Sequence, residues 1–313
     1  MKTRWSINEI KQVKSKGINT MLNINTIGTM VLAILTMIEL LISFLHREGT
    51  RLKDMLANLC LGALVILTGF FMKALALTVY TMVYSIAIIK PVPSFLLWVA
   101  AFFLCDLILY AYHLLGHKTR LLWAAHVAHH SSLHYNLSVG FRINFIHLFY
   151  RFLFWAPLCL VGITPQMILL LESLTAIWNF LIHTEKIKKL GFLDMIFNTP
   201  SNHRVHHASN PEYIDKNLGG ILVIYDRIFG TYVKETIPPV YGITHNIYSH
   251  NPKDVLFHEY KNVVKEIAKI KGLKNKISFL FSKPGSNIIG LKKIDVDKEA
   301  QIKIYYSPLN KAI

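Results

Sequence analysis

His126-Val127-Ala128-His129-His130 and, further along, His203-Arg204-Val205-His206-His207 repeat one pattern, with imidazoles at the first, fourth and fifth positions. In an α-helix those positions share a face, so each pentapeptide can present three imidazoles together. His113 and His117, at i and i+4, form a third helical group just upstream. Eight histidines at such spacings are too many for one ion. They suit two metals of coordination five or six with positions left open for water or oxygen. Imidazole serves iron, zinc and copper alike, so the ligand type alone does not choose the metal.

The surroundings of the clusters are strongly apolar. Of 313 residues, 53% are hydrophobic, and the mean hydropathy is +0.38. Several apolar runs are long enough to span lipid, which predicts an all-α integral membrane protein: a bundle of about 4–6 transmembrane helices under a histidine-rich cytoplasmic cap. The net charge is +16, with Lys and Arg gathered at the N-terminus, after the first apolar run and in the last sixty residues. Such flanks suit the anionic face of a bilayer. They form no recognisable nucleic-acid module, so nucleic acid is not an expected partner. Cys60, Cys105 and Cys159 lie in apolar runs without CxxC spacing, which suggests neither disulfides nor a thiolate metal site. The start of the chain, basic and mixed, lacks the short apolar region of a cleaved signal peptide.

The first predicted span is Ile27 to Leu45. The next apolar stretch, Met55 to Ile89, is too long for one upright helix and short for a hairpin, so one crossing plus an interfacial helix and two tightly turned crossings both stay open. Lys90-Pro91-Val92-Pro93 breaks the helix, and Ser94 is a plausible N-cap for a span from Phe95 to Leu115. Two further spans, Ile143 to Val161 and Gln166 to Ile182, flank the uncharged turn Gly162 to Pro165. This hairpin returns His183 to the side of His117 and His126, so one membrane face collects the histidines. The chain divides into a basic, cytoplasmic or interfacial N-terminus (1–26), the membrane domain (27–285) and a C-terminal tail (286–313). Within the part after Glu185, Asp254 to Lys271 reads as an amphipathic helix along the headgroups, and the last forty residues as loop and tail.

Ionisable residues inside lipid are costly, which singles out Glu39, Asp106 and Glu172. Asp106 shares a stripe with Tyr110, His113 and His117, where it would orient a ligand histidine or line a substrate channel, or else serve packing alone. His46, His245 and His250 lack helical partners and read as ordinary histidines; His134, His147 and His258 show no pattern of their own. Neither HxxHH box carries the Glu of an HExxH zinc hydrolase. A non-enzymatic zinc or iron transporter or sensor is the competing class, but a transporter places such ligands near the bilayer midplane rather than at one edge.

The run from Asp106 to His117, then Leu122 to Ser132, Tyr135-Asn136 and Arg142, resembles the fatty acid hydroxylase and sterol desaturase superfamily of membrane di-iron enzymes. His183-Thr184-Glu185, Asn198 to His207, Asp215-Lys216-Asn217 and Asp226 to Thr231 are most similar to its alkylglycerol monooxygenase-like branch. One departure is Leu114, where many relatives have Arg. The resemblance implies two non-haem irons and O2-dependent attack on an unactivated C–H bond of a lipid, giving hydroxylation or desaturation. The implied metal ligands are His113, His117, His126, His129, His130, His203, His206 and His207, with His183 as an additional one. Asp106 and Asn136 are the candidate supporting or catalytic residues. Gly219-Gly220 is no dinucleotide fingerprint, so electrons come from an external donor: a ferredoxin, a cytochrome or a tetrahydropterin.

Overall fold

Lipid offers no hydrogen bonds, so a chain of this composition satisfies its backbone internally, with helices. The computed structural model describes residues 27–92 and 94–286. Among them there is no β-strand, only the isolated bridges Phe197–Leu222 and Ala208–Tyr241. Three helices are long and apolar enough to cross a membrane: α1 (Ile27–Leu45), α2 (Gly49–Ser85) and α3 (Phe95–Lys118). Their outer faces are bare of protein, as at Phe70, which is 75% exposed. The stretches assigned to the N-terminus and most of the tail, and Pro93, lie outside the described residues.

Residues 55–89 adopt neither of the two shapes left open. α2 is one continuous helix of 37 residues, ending at Ser85. At 1.5 Å per residue it is about 55 Å long, well beyond a hydrocarbon core of about 30 Å. Its interior has isolated glycines but no proline, so nothing forces a turn. The surplus length forms its first turns, where Asp54 and Asn58 are buried in a polar network. Ser94 caps α3 as expected, its Oγ accepting from the Leu97 amide at 3.2 Å.

α4 (Arg120–His130) follows α3 almost directly. The expected hairpin is present but shorter: short helical turns run from Phe145 to Cys159, including α5 (Leu148–Arg151), and α6 (Pro165–Leu181) returns. Thr164 caps α6, with Pro165 in its first turn. Neither arm reaches the length of α1–α3. The connecting turn docks on the α2–α3 loop, with the Ile88 amide donating to the Leu160 carbonyl at 2.8 Å. That places the turn at the end of the bundle opposite His117, and the start of α6 beside it.

The remaining elements are α7 (Pro200–His207), α8 (Ile224–Ile228), α9 (Pro252–Lys269) and α10 (Leu273–Leu280). Amphipathic α9 does not lay its apolar face on headgroups. Val255 and Leu256 pack with Leu61 and Ala128, and Val263 packs with Ala124 and Phe279, so this face covers the helix that carries His126. α10 also orders part of the expected tail: Phe279 lies under the Arg120 guanidinium, 4.2 Å from its ring centre.

Beside α4, the buried Arg142 side chain donates to Asp54 Oδ1 at 3.0 Å, Asn58 Oδ1 at 2.8 Å and the Ala128 carbonyl at 3.0 Å. Replacing Asp54 by Leu leaves this guanidinium buried without a counter-charge, at a cost of about 3–5 kcal/mol. The expected result is a clear fall in the thermal unfolding midpoint of detergent-purified protein, partly restored in the double variant Asp54→Leu/Arg142→Met.

Candidate metal centre

The ends of four helices meet at the histidine-bearing end of the bundle. α3 delivers His113 and His117, α4 delivers His126, His129 and His130, α7 delivers His203, His206 and His207, and His183 follows α6. The nine side chains fall into two groups. His113, His117, His126, His130 and His206 form one; His129, His183, His203 and His207 form the other, with the candidate donor atoms of each group within 4.8 Å of one another. Each HxxHH box thus divides its residues between the two groups. The rings of His130 and His207 stack at 4.6 Å where the groups meet.

The hydrogen bonds on the outer ring nitrogens decide the tautomers. Nδ1 of His113 faces the Leu218 carbonyl at 2.9 Å, that of His183 the Asn179 carbonyl at 2.6 Å, and that of His206 the Lys216 carbonyl at 3.0 Å. His129 Nδ1 faces the Arg142 carbonyl at 3.3 Å. A carbonyl oxygen only accepts, so each Nδ1 must donate, and each neutral ring then keeps its lone pair on Nε2. Burial holds His126, His129, His130, His203, His206 and His207 well below the usual imidazole range and pushes His183 down to about 4, so these rings are neutral at pH 7.

The inward Nε2 atoms of His113, His129, His183 and His206 therefore carry lone pairs. His183 Nε2 is 3.3 Å from His129 Nε2, and neither atom has a proton to give. His117 Nε2 and His206 Nε2 are buried without a partner. This donor set fits a cation in each group, because a metal turns mutual repulsion into shared coordination.

The chain that backs the histidines is largely one segment. Asp215 Oδ1 accepts from His117 Nδ1 at 3.3 Å, Lys216 supplies its carbonyl to His206, and Leu218 supplies its own to His113. Asp215 and Asn217 have positive φ values of 59° and 51°, a backbone state that Asp and Asn tolerate better than most residues. Although burial opposes ionisation of Asp215, hydrogen bonds from His117 and Lys118 hold its carboxyl below the usual range. Asp226 secures the segment, its carboxylate accepting from the Leu218 and Gly219 amides at 2.7 Å each.

Asp106 lies one step further out. Its carboxylate touches no histidine; it accepts from the Ile221 and Leu222 amides at 2.8 and 3.1 Å. It thus acts on His113 only through the backbone that carries the Leu218 carbonyl. Gly220 fits against it because a Cβ there would sit 2.5 Å from Asp106 Oδ1. Asn136 is also structural in its visible bonds: Oδ1 accepts from the Ser138 amide at 3.0 Å and the Ser138 hydroxyl at 2.6 Å. Its neighbour Tyr135 lies closer to the centre, with its ring 5.3 Å from that of His207 and its hydroxyl bonded to the Ile182 carbonyl beside His183. Arg204 clamps the same loop, donating to the Thr184 carbonyl and pairing with Glu235. Spacing assigned no role to Asp215, Arg142 or Arg204; their only sequence signal was membership of the motifs around the boxes.

Of the histidines without helical partners, His46, His134, His147, His245, His250 and His258 belong to neither group. A cavity of about 690 Å³ opens beside the five-histidine group, with His117, His130 and His206 in its lining. Its walls mix apolar side chains, among them Trp123, Val127, Ile214 and Ile243, with the polar Thr244, His258, Glu259, Asn262 and Lys283.

Asp106→Ala should release the amides of Ile221 and Leu222. Bonds to an ionised acceptor contribute about 1.5–3 kcal/mol each, so exchange of these two amides should rise by about tenfold or more. Hydrogen exchange resolved over residues 217–223 checks this; unchanged protection there would show that Asp106 does not anchor the segment.

Residues 98–231, which contain all nine histidines, match the family model described as fatty acid hydroxylase. The chain is 36% identical to human (Homo sapiens) and 35% identical to zebrafish (Danio rerio) alkylglycerol monooxygenase, each over 255 residues, covering 80% of this chain and 57% of the relative. It is also 35% identical over 126 residues to ornithine lipid hydroxylase OlsE of Rhizobium tropici, covering 40% of this chain and 38% of that protein. No solved structure matches. The chain therefore spans little more than half the length of the vertebrate relatives, 57%. Sequence relationship and the nine converging histidines together show that the chain belongs to the fatty acid hydroxylase and sterol desaturase superfamily, in its alkylglycerol monooxygenase-like branch.

Proposed function

We propose that this protein is a membrane-bound non-haem di-iron oxygenase that uses O2 to hydroxylate an unactivated C–H bond of a lipid. The observation that carries this reading is the pair of imidazole groups, in each of which unprotonated ring nitrogens point inward without a proton to share. His113, His117, His126, His130 and His206 would hold one iron, and His129, His183, His203 and His207 the other. When bound, such an iron pair supplies oxygen activation and the oxidising equivalents that break a C–H bond. The chain's own part is to orient His183, His206, His113, His129 and His117 through the carbonyls of Asn179, Lys216, Leu218 and Arg142 and the carboxylate of Asp215, with the other four rings packed among them.

The substrate class follows the relatives, alkylglycerol monooxygenases and an ornithine lipid hydroxylase, and favours hydroxylation over desaturation. An alkyl glycerol ether, a fatty acyl chain or a sterol-like skeleton would enter from the membrane. The cavity beside the five-histidine group, with Glu259, Asn262 and Lys283 in its wall, gives an external electron donor, a tetrahydropterin, ferredoxin or cytochrome, an approach from the other side. A metal transporter is less well supported, because the histidines gather at the Lys118 end of α3 rather than along its middle.

For topology, we read α2, α3 and the two hairpin arms as crossings, with α1 as a fifth, and take residues 27–285 as one membrane domain. At the histidine end the described residues include Arg47, Arg51, Lys53, Lys118 and Arg120, whereas the loops at the opposite end contain Lys90 alone. Both flanks of α1 are basic, so we take the orientation from the loops between crossings, whose imbalance favours a cytoplasmic metal centre.

Purified protein from iron-replete cells should hold two irons per chain by elemental analysis and give the Mössbauer signature of a coupled pair. Under 18O2 it should place label in a lipid hydroxyl. His129→Ala and His117→Ala should each lower the iron content to about one per chain. Stoichiometric zinc without iron, together with no labelled lipid, would overturn the assignment.

A further inference from the structure

Two non-spanning segments, Gly191–Met195 with its flanks and α8 with Phe229, are packed together. The Val223 amide donates to the Ile196 carbonyl at 3.0 Å, Phe197 bridges Leu222, and Arg227 Nε donates to the Met195 carbonyl at 3.1 Å. Their joint outer surface is apolar and open: Phe192 is 68% exposed, Ile228 65% and Phe229 58%, with Leu193 and Met195 alongside. Water-facing loops of a soluble cap do not carry such a patch without a partner.

The height of this surface is set by α3. The Tyr225 hydroxyl donates to the Phe103 carbonyl at 2.7 Å, and Phe229 stacks on Tyr110 with ring centres 5.3 Å apart. Phe103 and Tyr110 stand about 12 Å and about 22 Å along α3 from its start. A hydrocarbon core of about 30 Å that begins near Phe95 extends past both. The surface is therefore continuous with the lipid face of α3, where Phe103 is itself exposed.

Two other features fit that depth. The backbone of the segment is satisfied internally: the Leu190 amide donates to Asp194 Oδ2, the Phe197 amide to the Leu193 carbonyl, and Asn202 Nδ2 to the Asp194 carbonyl. Lys186, Lys188 and Lys189, all exposed, precede the apolar residues, and Arg227 lies over the Tyr232 ring. Long basic side chains at such an edge reach headgroups while their stems cover apolar surface.

We infer that residues 187–196 and 224–229 form a collar sunk into the bilayer leaflet next to the histidine centre, with that leaflet as its occupant. The collar fixes how deep the centre sits, because the same stretch of chain, residues 215–222, runs from the histidines to α8. A lipid then reaches the histidines from within the leaflet and need not be lifted through water.

The test uses the full chain in phosphatidylcholine–phosphatidylglycerol nanodiscs. With exposed Cys60 changed to Ser, nitroxide labels are placed through Phe192→Cys, Leu193→Cys, Ile228→Cys or Tyr248→Cys, the last a cap position that is 76% exposed. The collar labels should be relaxed more strongly by oxygen than by a water-soluble nickel chelate, with the order reversed at position 248. Equal or greater relaxation by nickel at two collar positions of monodisperse protein would put the surface in water and overturn the inference. Neither readout depends on metal content or turnover.

Discussion

Nine imidazoles crowd into two groups, five of them with their Nε2 lone pairs turned inward, and the surrounding structure is arranged so that they cannot relax apart. Each outer ring nitrogen that can be assigned donates to an acceptor fixed elsewhere in the chain. Those acceptors are in turn held by groups with no contact to the rings: Asp226 and Asp106 grip the backbone around Leu218, and Arg142 spans Asp54, Asn58 and the end of α4. Arg204 and Glu235 do the same for the loop that follows His183. Neutral rings held this way are already prepared for cations, so little of the binding energy has to be spent on ordering the site.

The second constraint is the solvent. Lipid demands internally bonded backbone, which makes the scaffold helical and leaves the outer faces of α1, α2 and α3 apolar and bare. The polar work is then confined to one end of the bundle, where helix termini converge. α2 shows the division along a single element: its first turns carry Asp54 and Asn58 into the network under α4, and the rest faces lipid. α9 shows the reverse case, an amphipathic helix whose apolar side is taken up by protein because α4 needs a cover.

Much of the site was legible because ligand spacing and helical geometry share one period. The i, i+3, i+4 pattern of the boxes and the hairpin that returns His183 both follow from that period and from the lengths of the apolar runs. The partition into five and four did not. Adjacent histidines such as His129 and His130 point about 100° apart on a helix, so which group each joins depends on how α4 is rotated against α3 and α7. Asp106 shares a helix with His113 and His117, yet its partner is a backbone stretch more than a hundred residues away. Asp215 carried no periodic signal because it lies in a loop with a left-handed backbone.

By itself, the sequence determined that the protein is helical, that lipid surrounds part of it and that histidines enough for two metals meet at one face, because each of these follows from local period, run length and residue chemistry. Only the tertiary structure decided that residues 49–85 are a single helix, which imidazole faces which, and that Tyr225 and Phe229 lie beside the middle of α3. Those features rest on contacts between segments far apart in the chain, and the pattern within any one segment is the same whichever partner it meets.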